Sequence, residues 1–424
     1  MIIASGLSFS VLPQAVSANR LAPKIAGLKI DIAGAPLISH IRCEITLHRH
    51  AEICKCVFIY ALKLLYGASM QNGLNILVIG AGLMGLSTAD SLMSKGHEVT
   101  LVEARSGPAR GTSYANSGMI HPSQAQPWLS DGNAVFDNAA FKVVHDLAER
   151  SKLLLQDRLI ELGLFKDHPV PGCYKLYPDM HAARLAQKRY SDSGVMSRAV
   201  MDVAATLGHS ALYFENDMWG NAYDYALALE ANLQSRGAVF IYDAPDLRIR
   251  RGENGVTAQM KGHIFHADHV IVAAGPQSPD VLTQVGLTLP MKAVRGFAVN
   301  FKRPDMPLPF APLMDSKTYS AMTVFNTHLR LSGTVNEDSA RPLLQRWCEL
   351  APNIMRALEP ATQIWSGLRP MSLIGRPYIG PTSVKGLWVN TAHGHMGWTL
   401  CAGSGDLIAR MIDGETDERF ALAA

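Results

Sequence analysis

The clearest pattern of apolar and polar positions begins at Asn75. Residues 75–80 form an apolar run, residues 83–95 carry apolar side chains at helical spacing, and residues 98–103 form a second apolar run that ends at Glu103. Short apolar runs of this kind predict buried strands, and the segment between them predicts a helix. This order predicts a parallel β-α-β unit at the start of an α/β fold.

A glycine turn joins the first predicted strand to the helix. Gly80, Gly82 and Gly85 have the G-x-G-x-x-G spacing, which provides a tight turn, close approach to a pyrophosphate and close packing of helix on strand. Free N–H groups at the helix N-terminus attract phosphates, and Glu103 follows where an acid accepts from ribose hydroxyls. The glycine spacing alone is a weak signal, but the complete unit predicts a dinucleotide site.

Two further segments favour FAD over NAD as the dinucleotide. Residues 267–275 form a short apolar strand that ends in Ala273, Ala274 and Gly275, and small residues let a chain pass close beneath a cofactor. Any buried strand before a glycine turn would give the same pattern. Residues 388–412 add a strand, a glycine-spaced turn and a helix, which an NAD enzyme does not need.

The remaining pattern predicts a second domain interleaved with the first. Residues 295–301 and 328–334 alternate as strands of an antiparallel sheet do. Other predicted elements are helices at 141–162 and 224–237, strands at 238–241, 247–250 and 255–260, and a return strand at 270–274. The expected FAD-binding parts are 70–128, 226–285 and 366–424, and the expected substrate-domain parts are 129–225 and 286–365.

Residues 1–69 contain no recognisable motif. Cys43, Cys54 and Cys56 lie there, but their spacing fits no common zinc pattern, so no metal site is expected. An apolar stretch at 57–66 is too short to span a bilayer. The favoured interpretation is that the start is assigned too early and that Met70 is the natural start, with a disordered or loosely packed extension as the physical consequence.

Composition restricts the function classes. The chain has 424 residues, of which 48% are hydrophobic and 18% charged, so it is long enough for two domains. A net charge of +3 without a dense basic stripe argues against nucleic acid as a partner. Scattered cysteines are consistent with reduced thiols in the cytoplasm.

Three later motifs carry a family resemblance. Residues 112–118 read T-S-Y-A-N-S-G, residues 364–371 read I-W-S-G-L-R-P-M, and residues 390–405 read N-T-A-H-G-H-M-G-W-T-L-C-A-G-S-G. Over residues 75–415 the chain resembles the FAD-dependent D-amino acid oxidoreductases, most closely the small subunit of the bacterial D-amino acid dehydrogenases. The resemblance implies a Rossmann-like FAD-binding domain (βαβ, glutathione-reductase-like) with an interleaved α+β substrate domain built on an antiparallel sheet.

The resemblance and the chemistry of individual residues together suggest site residues. Arg369 would bind the substrate carboxylate through its planar fork, and Tyr319 would add a hydroxyl. His395, where the chain departs from the family, is a candidate for a role on the substrate side. His393 matches a family histidine with a structural role at the flavin. Backbone N–H groups at 396–399 would face the negative charge of reduced flavin. The implied FAD contacts are Gly80, Gly82, Leu83, Met84, Gly85, Glu103, Ala104, Arg105, Thr112, Ser113, Asn116, Gly118, Ala274, Gly275, Gly394, Met396, Gly397, Trp398 and Thr399.

The implied reaction is oxidative deamination of D-amino acids to 2-oxo acids and ammonia, by hydride transfer to flavin N5. Electrons would pass to a quinone or another electron-transfer partner, with the protein in the cytoplasm and possible peripheral association with the inner membrane. Alternatives are an oxidase of glycine, sarcosine or another secondary amine that uses oxygen, a non-catalytic flavoprotein subunit, and an NAD-dependent dehydrogenase.

Departures from the family pattern leave the substrate open. The chain is several tens of residues shorter than the pattern between Trp128 and Ala148. Leu373-Ile374-Gly375 replaces P-D-G, Val335-Asn336 follows a strand where an acid is usual, and His395 replaces a threonine. These positions are expected on the substrate side, so they bear on substrate identity rather than on FAD binding.

Overall fold

A computed structural model describes the backbone of strands 8–11, 28–35 and 38–45, and residues 73–127, 138–164, 171–201, 209–253, 255–260, 262–334, 338–420 and 422. The chain divides into two compact units, Met1–Asn72 and Gly73–Ala424. In the first unit, β1 (Ser8–Val11), β3 (Ile38–Ile45) and β2 (Leu28–Ala35) form an antiparallel sheet in that order.

Some expectations fall outside this described part. They include most of the extension 1–69 with Cys54 and Cys56, the shortened stretch after Trp128, and the departure at Val335-Asn336. Met70 as the natural start therefore stays a prediction. Among the residues that are described, no helix is long and apolar enough to cross a membrane.

The second unit contains a six-stranded sheet that is parallel except at one edge. Its strands are, in order, β11 (Val239–Ile241), β5 (Glu98–Val102), β4 (Asn75–Ile79), β15 (His269–Val272), β22 (Leu387–Thr391) and β21 (Tyr378–Pro381). Only β21 runs antiparallel to its neighbour. Helix α1 (Leu83–Ser94) connects β4 to β5, so the predicted β-α-β unit is confirmed.

Both faces of this sheet are covered, as parallel sheets require. On one face Ile76 and Val78 pack in a core with apolar residues of four helices. The helices are α1, α2 (Asn138–Glu161), α4 (Ala222–Ser235) and α8 (Gly397–Ile412). On the other face Leu77 and Val272 pack against a three-stranded antiparallel sheet. Its strands are β12 (Arg248–Gly252), β13 (Gly255–Met260) and β14 (His263–Phe265).

The second large sheet of this unit has eight strands, and it agrees with the prediction of an antiparallel sheet. Its strands are, in order, β20 (Gln363–Ser372), β16 (Met291–Lys302), β19 (His328–Thr334), β18 (Ala321–Val324), β17 (Leu313–Asp315), β7 (Cys173–Tyr177), β9 (Ser210–Phe214) and β8 (Arg198–Val200). Only β17 and β7 are parallel.

Helices and one small ribbon complete this unit. Helix α6 (Arg341–Leu350) buries Trp347 completely in a core with Val299 and Leu331 of the eight-stranded sheet. The other elements are α3 (Met180–Asp192), α5 (Ser278–Thr283), α7 (Pro352–Ala357), and the paired strands β6 (Met119–Ile120) and β10 (Met218–Trp219).

Candidate active site

A cavity of about 820 Å³ is lined by segments of both large sheets. Its walls come from the β4–α1 turn, the loop at 109–117, the start of the segment after β15, strands β16 and β20, and the loop before α8. In an open α/β sheet, ligands bind beyond the carboxyl ends of the parallel strands. The cavity therefore lies where the sequence predicts a dinucleotide.

Most of the predicted site residues line this cavity. They are Gly80, Gly82, Leu83, Met84, Glu103, Ala104, Arg105, Thr112, Ser113, Asn116, Ala274, Gly275, Arg369, Gly394, His395, Gly397 and Trp398. Five others are not part of the lining: Gly85, Gly118, Tyr319, Met396 and Thr399. For both groups, the proposed contacts with cofactor or substrate remain predictions.

The three glycines of the first turn have different structural roles. Gly80 has φ of 106°, and a Cβ there would lie 2.5 Å from the carbonyl oxygen of Ala273. A Cβ on Gly85 would lie 1.8 Å from the Gly80 carbonyl oxygen, so these two positions have no room for a side chain. A Cβ on Gly82 would meet only Ser113 Oγ, at 3.3 Å. Gly82 is therefore the position that leaves space beside the cavity.

Glu103 is fixed at the end of β5. Its Oε2 accepts a hydrogen bond from the Ala81 N–H and its Oε1 accepts one from the Arg105 N–H, each at 2.9 Å. The carboxylate is buried in the protein and borders the cavity. A carboxylate has about four acceptor positions, so Glu103 has capacity left to accept from the hydroxyls of a ribose.

The loop before α8 forms another wall. Ala392 has φ of 63° and Gly394 has φ of 57°, so the chain turns through the left-handed region twice. Behind this wall, Thr399 Oγ1 accepts from the His121 N–H at 3.0 Å, and Trp398 Nε1 donates to the Gly118 carbonyl oxygen at 3.2 Å. Thr399 thus stabilises the loop before α8 through a hydrogen bond on the side away from the cavity.

His393 has two ring nitrogens without hydrogen-bond partners among the described residues. It lines the cavity and is 2% exposed. Burial lowers the pKa of His393 to about 3, so the ring is neutral at neutral pH. Buried polar atoms are normally hydrogen-bonded, and a bound cofactor would provide the missing partner.

Arg369 is the cationic group of the wall. It lies on β20, paired with Val294 of β16, and its Nη1 donates to Thr334 Oγ1 at 2.5 Å. No carboxylate forms an ion pair with it in the part of the chain that the structure describes, and burial lowers the pKa of its guanidinium. A guanidinium in such surroundings can form two parallel hydrogen bonds with a carboxylate.

His395 lies near Arg369 and lines the same cavity. Its Nε2 is 3.2 Å from the carbonyl oxygen of Gln124, and its ring is stacked on that of His121 with centroids 6.2 Å apart. Desolvation by the surrounding protein lowers the pKa of His395 to about 4, although the residue is exposed within the cavity; the hydrogen bond to the Gln124 carbonyl raises this pKa, and Arg369 and Lys175 lower it to a lesser extent. The ring is therefore neutral at neutral pH.

Arg330 lies behind the cavity lining and supports it, and the sequence patterns did not reveal this residue. It is 5% exposed on β19, where its Nε donates to Asn300 Oδ1 at 2.8 Å and its Nη1 donates to the Asn116 carbonyl oxygen at 3.1 Å. Burial lowers its pKa to about 10, so it remains charged. Arg330 ties the 109–117 loop to the antiparallel sheet. The one sequence feature that could have indicated Arg330 is the presence of an arginine within an alternating strand.

Tyr319 lies away from the cavity lining. Its side chain is 61% exposed, its φ is 52°, and its ring lies 4.9 Å from Lys175 Nζ. Lys175 itself is 6% exposed on β7. The sequence motifs did not include Lys175, His121 or Gln124. Only the tertiary structure brings these three residues close to His395.

Comparison with known proteins agrees with the geometry. Residues 75–411 match the family model described as FAD dependent oxidoreductase. A D-amino acid dehydrogenase of Granulibacter bethesdensis is 29% identical over 406 aligned positions, covering 81% of this chain and 96% of that one. One of Methylobacterium radiotolerans is 26% identical, with 81% and 97% covered.

Solved structures show the same fold. Glycine oxidase from Geobacillus kaustophilus aligns with a TM-score of 0.71 at 23% identity, covering 83% of this chain and 99% of that one. Iminodiacetate oxidase from Chelativorans sp. aligns with a TM-score of 0.70 at 20% identity, covering 82% and 98%. The chain belongs to the FAD dependent oxidoreductase family. It is an FAD-dependent oxidoreductase with a Rossmann-like FAD-binding fold.

The residues of the cavity fit this cofactor. Gly82 leaves room for a pyrophosphate, Glu103 has acceptor capacity for a ribose, and His393 carries two unsatisfied ring nitrogens in the described structure. The N-terminus of α8 adds a positive dipole end beside the loop. These features are spread along one cavity, as an extended dinucleotide requires.

Proposed function

We propose that this oxidoreductase deaminates D-amino acids to 2-oxo acids and ammonia. The observation that carries the proposal is Arg369, a half-buried guanidinium on the cavity wall with a hydroxyl partner but no carboxylate among the residues described. Taking a charge partly out of water costs free energy unless an opposite charge compensates it, and the carboxylate of an amino acid supplies that charge. The similarity to D-amino acid dehydrogenases supports the D-configuration.

Each residue of the wall has a place in this reaction. Arg369 orients the substrate by its carboxylate, and alignment of the reacting bond is a large part of such catalysis. His395 and His393 are neutral at neutral pH, so of these three residues Arg369 carries the positive charge. Bound FAD supplies the acceptor for the substrate's two electrons. The imine product then hydrolyses in water.

No acid–base constellation is needed in this proposal. The amine reacts in its neutral form, in which its lone pair assists departure of the hydride. Electrons would leave the enzyme on a quinone or another acceptor. That acceptor, the cytoplasmic location and the peripheral membrane contact stay predictions.

A second candidate function is oxidation of glycine, sarcosine or another secondary amine with oxygen as the acceptor. The similarity in fold to glycine oxidase and iminodiacetate oxidase favours it. Arg369 would serve the same purpose for glycine and sarcosine, because both also carry a carboxylate. The two candidate functions differ in the substituents that the substrate carries at Cα or on its nitrogen. They also differ in the electron acceptor.

One steady-state panel separates the candidates. It compares D-amino acids, their L-enantiomers, glycine, sarcosine and D-proline, each with oxygen or with an artificial dye as acceptor. The proposal expects turnover of D-amino acids with the dye and little with oxygen alone. Turnover restricted to glycine or sarcosine with oxygen would favour the second candidate.

A further inference from the structure

A second cation, Lys175, lies behind the cavity wall and is buried. Lys175 Nζ donates to Gln124 Oε1 at 2.9 Å and to the Tyr190 hydroxyl at 3.0 Å. The rings of Tyr190 and Tyr319 lie 5.6 Å and 4.9 Å from the same nitrogen. All of these partners are neutral. Across the described ranges, no carboxylate is paired with Lys175.

The nearest acid in this hydrogen-bond network does not reach Lys175. Gln124 Nε2 donates to Ser123 Oγ at 2.9 Å, and Ser123 Oγ donates to Asp217 Oδ2 at 2.6 Å. Two side chains therefore separate the ammonium from Asp217. Burial raises the pKa of Asp217 to about 7, so even this distant charge is only partly present at neutral pH.

His395 connects Lys175 to the cavity. His395 lines the cavity, and its Nε2 contacts the backbone of the same Gln124 whose side chain accepts from Lys175. Both Arg369 and Lys175 also lower the pKa of His395 and that of His121 behind it. The two cations thus act on the same small region of the wall, from different strands.

A cavity with one cation in its wall and a second cation behind that wall, neither paired with a carboxylate among the described residues, suits a ligand with two anionic groups. Burying a lone charge costs free energy unless an opposite charge or several hydrogen bonds compensate it. Arg369 has the α-carboxylate as its partner in the proposed function. Lys175 has only neutral partners in the protein. A substrate with an apolar side chain would provide no negative charge for it.

We propose that the substrate is an amino acid with a second carboxylate, held on the His395 side of the cavity by the positive charge of Lys175. This inference rests on the proposed function and narrows it to the class of D-glutamate and D-aspartate. His395 and Gln124 lie between Lys175 and the cavity. Lys175 therefore acts as a specificity-determining charge through these two residues.

The first test compares each acid with its isosteric amide, because the pair differs mainly in charge. The wild-type enzyme is expected to have a kcat/KM for D-glutamate, or for D-aspartate, at least about tenfold higher than for D-glutamine or D-asparagine. Lys175→Met is expected to lower that ratio at least about tenfold, and Lys175→Arg is expected to restore part of it. Flavin content shows whether each variant is folded.

A matched control removes a different lysine from the same sheet. Lys302 lies on β16, is exposed, and pairs with Glu359 at 3.4 Å. Lys302→Met should leave the ratio of acid to amide unchanged. Equal kcat/KM for acid and amide in the wild type would overturn the inference. The inference would also be overturned if the folded Lys175→Met variant lost kcat/KM equally for the acid and for the amide.

A binding measurement separates this inference from the proposed function. Glutarate and its monoamide are titrated into the FAD-loaded enzyme, and the change in flavin absorbance gives each Kd. Tighter binding of glutarate in the wild type, lost in Lys175→Met, supports the second anion site even if no D-amino acid is oxidised. Equal Kd values for the two compounds overturn the site even if D-amino acids are substrates.

Discussion

Arg369 and Thr334 are joined across an intervening strand. Arg369 lies on β20 and Thr334 on β19, and β16 runs between them, yet Arg369 Nη1 reaches Thr334 Oγ1 at 2.5 Å. Gly296 of β16 makes this possible, because it faces Thr334 in the register and a Cβ there would be only 3.4 Å from Arg369 Nε. The guanidinium is thus held over a position without a side chain, next to the cavity.

The first prediction concerns this guanidinium. Arg369→Lys keeps the charge but loses the planar fork, so kcat/KM for the best substrate should fall on the order of ten- to a hundredfold with normal flavin content. Steady-state kinetics on flavin-matched samples measure the loss. Arg295→Lys is the matched control, since Arg295 is half-exposed on β16 and pairs with Asp338.

An amine without a carboxylate gives the complementary control. Wild type and Arg369→Lys should be similarly poor on such a substrate, because the fork has nothing to bind. Normal turnover of D-amino acids by a flavin-loaded Arg369→Lys variant would show that the carboxylate is bound elsewhere.

Gly82→Val should abolish flavin loading. A single Cβ at Gly82 meets only Ser113 Oγ at 3.3 Å, but a branched side chain would extend into the space that a pyrophosphate occupies. Flavin absorbance per protein and the Tm of the apoprotein measure the effect. Gly252→Val is the control: Gly252 is exposed at the end of β12, and a Cβ there would be 3.7 Å from its nearest neighbour. Full flavin content in Gly82→Val would contradict the assigned role of the turn.

Arg330→Met should weaken FAD binding. The variant removes the donor to the Asn116 carbonyl and to Asn300, so the loop beside the cavity loses its tie to β19. Loss of a charged donor is worth roughly 1.5 kcal/mol or more, which corresponds to a Kd for FAD about tenfold higher. Reconstitution of the apoprotein measures that Kd. Arg198→Met, an exposed position on β8 of the same sheet, should leave it unchanged, and a tenfold change there too would point to a general loss of stability.

The stability of the apoprotein should depend on pH through His393. Burial lowers its pKa from 6.5 to about 3 in the folded state, so the unfolded chain binds more protons between these values. Stability from this group is complete above pH 6.5 and is lost as the pH falls towards 3. Asp217, whose pKa burial raises to about 7, shifts stability in the opposite direction.

The comparison of His393→Gln with wild type separates the contribution of His393 to the pH dependence of stability from that of Asp217. The loss of Tm between pH 7 and pH 4 should be smaller in His393→Gln, because glutamine does not titrate. An identical loss in both proteins would mean that His393 is not buried as a neutral ring.

Local sequence patterns predicted the parts of the structure that local physics determines. The apolar runs on either side of Gly80 and Gly85 form β4 and β5, because buried strands and a glycine turn impose their own sequence pattern. The alternating segments around Val299 and Leu331 likewise pair as β16 and β19. The motif arginine, Arg369, lies on the cavity as the resemblance implied.

The charged surroundings of the substrate side could not be predicted in this way. Lys175, Gln124 and His395 are far apart in the sequence and meet only because three separate elements pack together. Nothing in the local pattern around Lys175 distinguishes an inward-facing lysine from a solvated one. The sequence around Tyr319 likewise gave no indication that its ring would lie over that lysine.

Reduction of the bound flavin under anaerobic conditions tests the proposed reaction without reference to any electron acceptor. FAD-loaded enzyme is mixed separately with D-alanine, D-glutamate, D-aspartate, their L-enantiomers, glycine and sarcosine, and the loss of oxidised-flavin absorbance is recorded. At least one D-amino acid should reduce the flavin rapidly while its L-enantiomer does not, and Arg369→Lys should slow that reduction. Rapid reduction by glycine, sarcosine or the L-enantiomers with none by a D-amino acid, or no reduction by any of them, would contradict the assignment as a D-amino acid oxidoreductase.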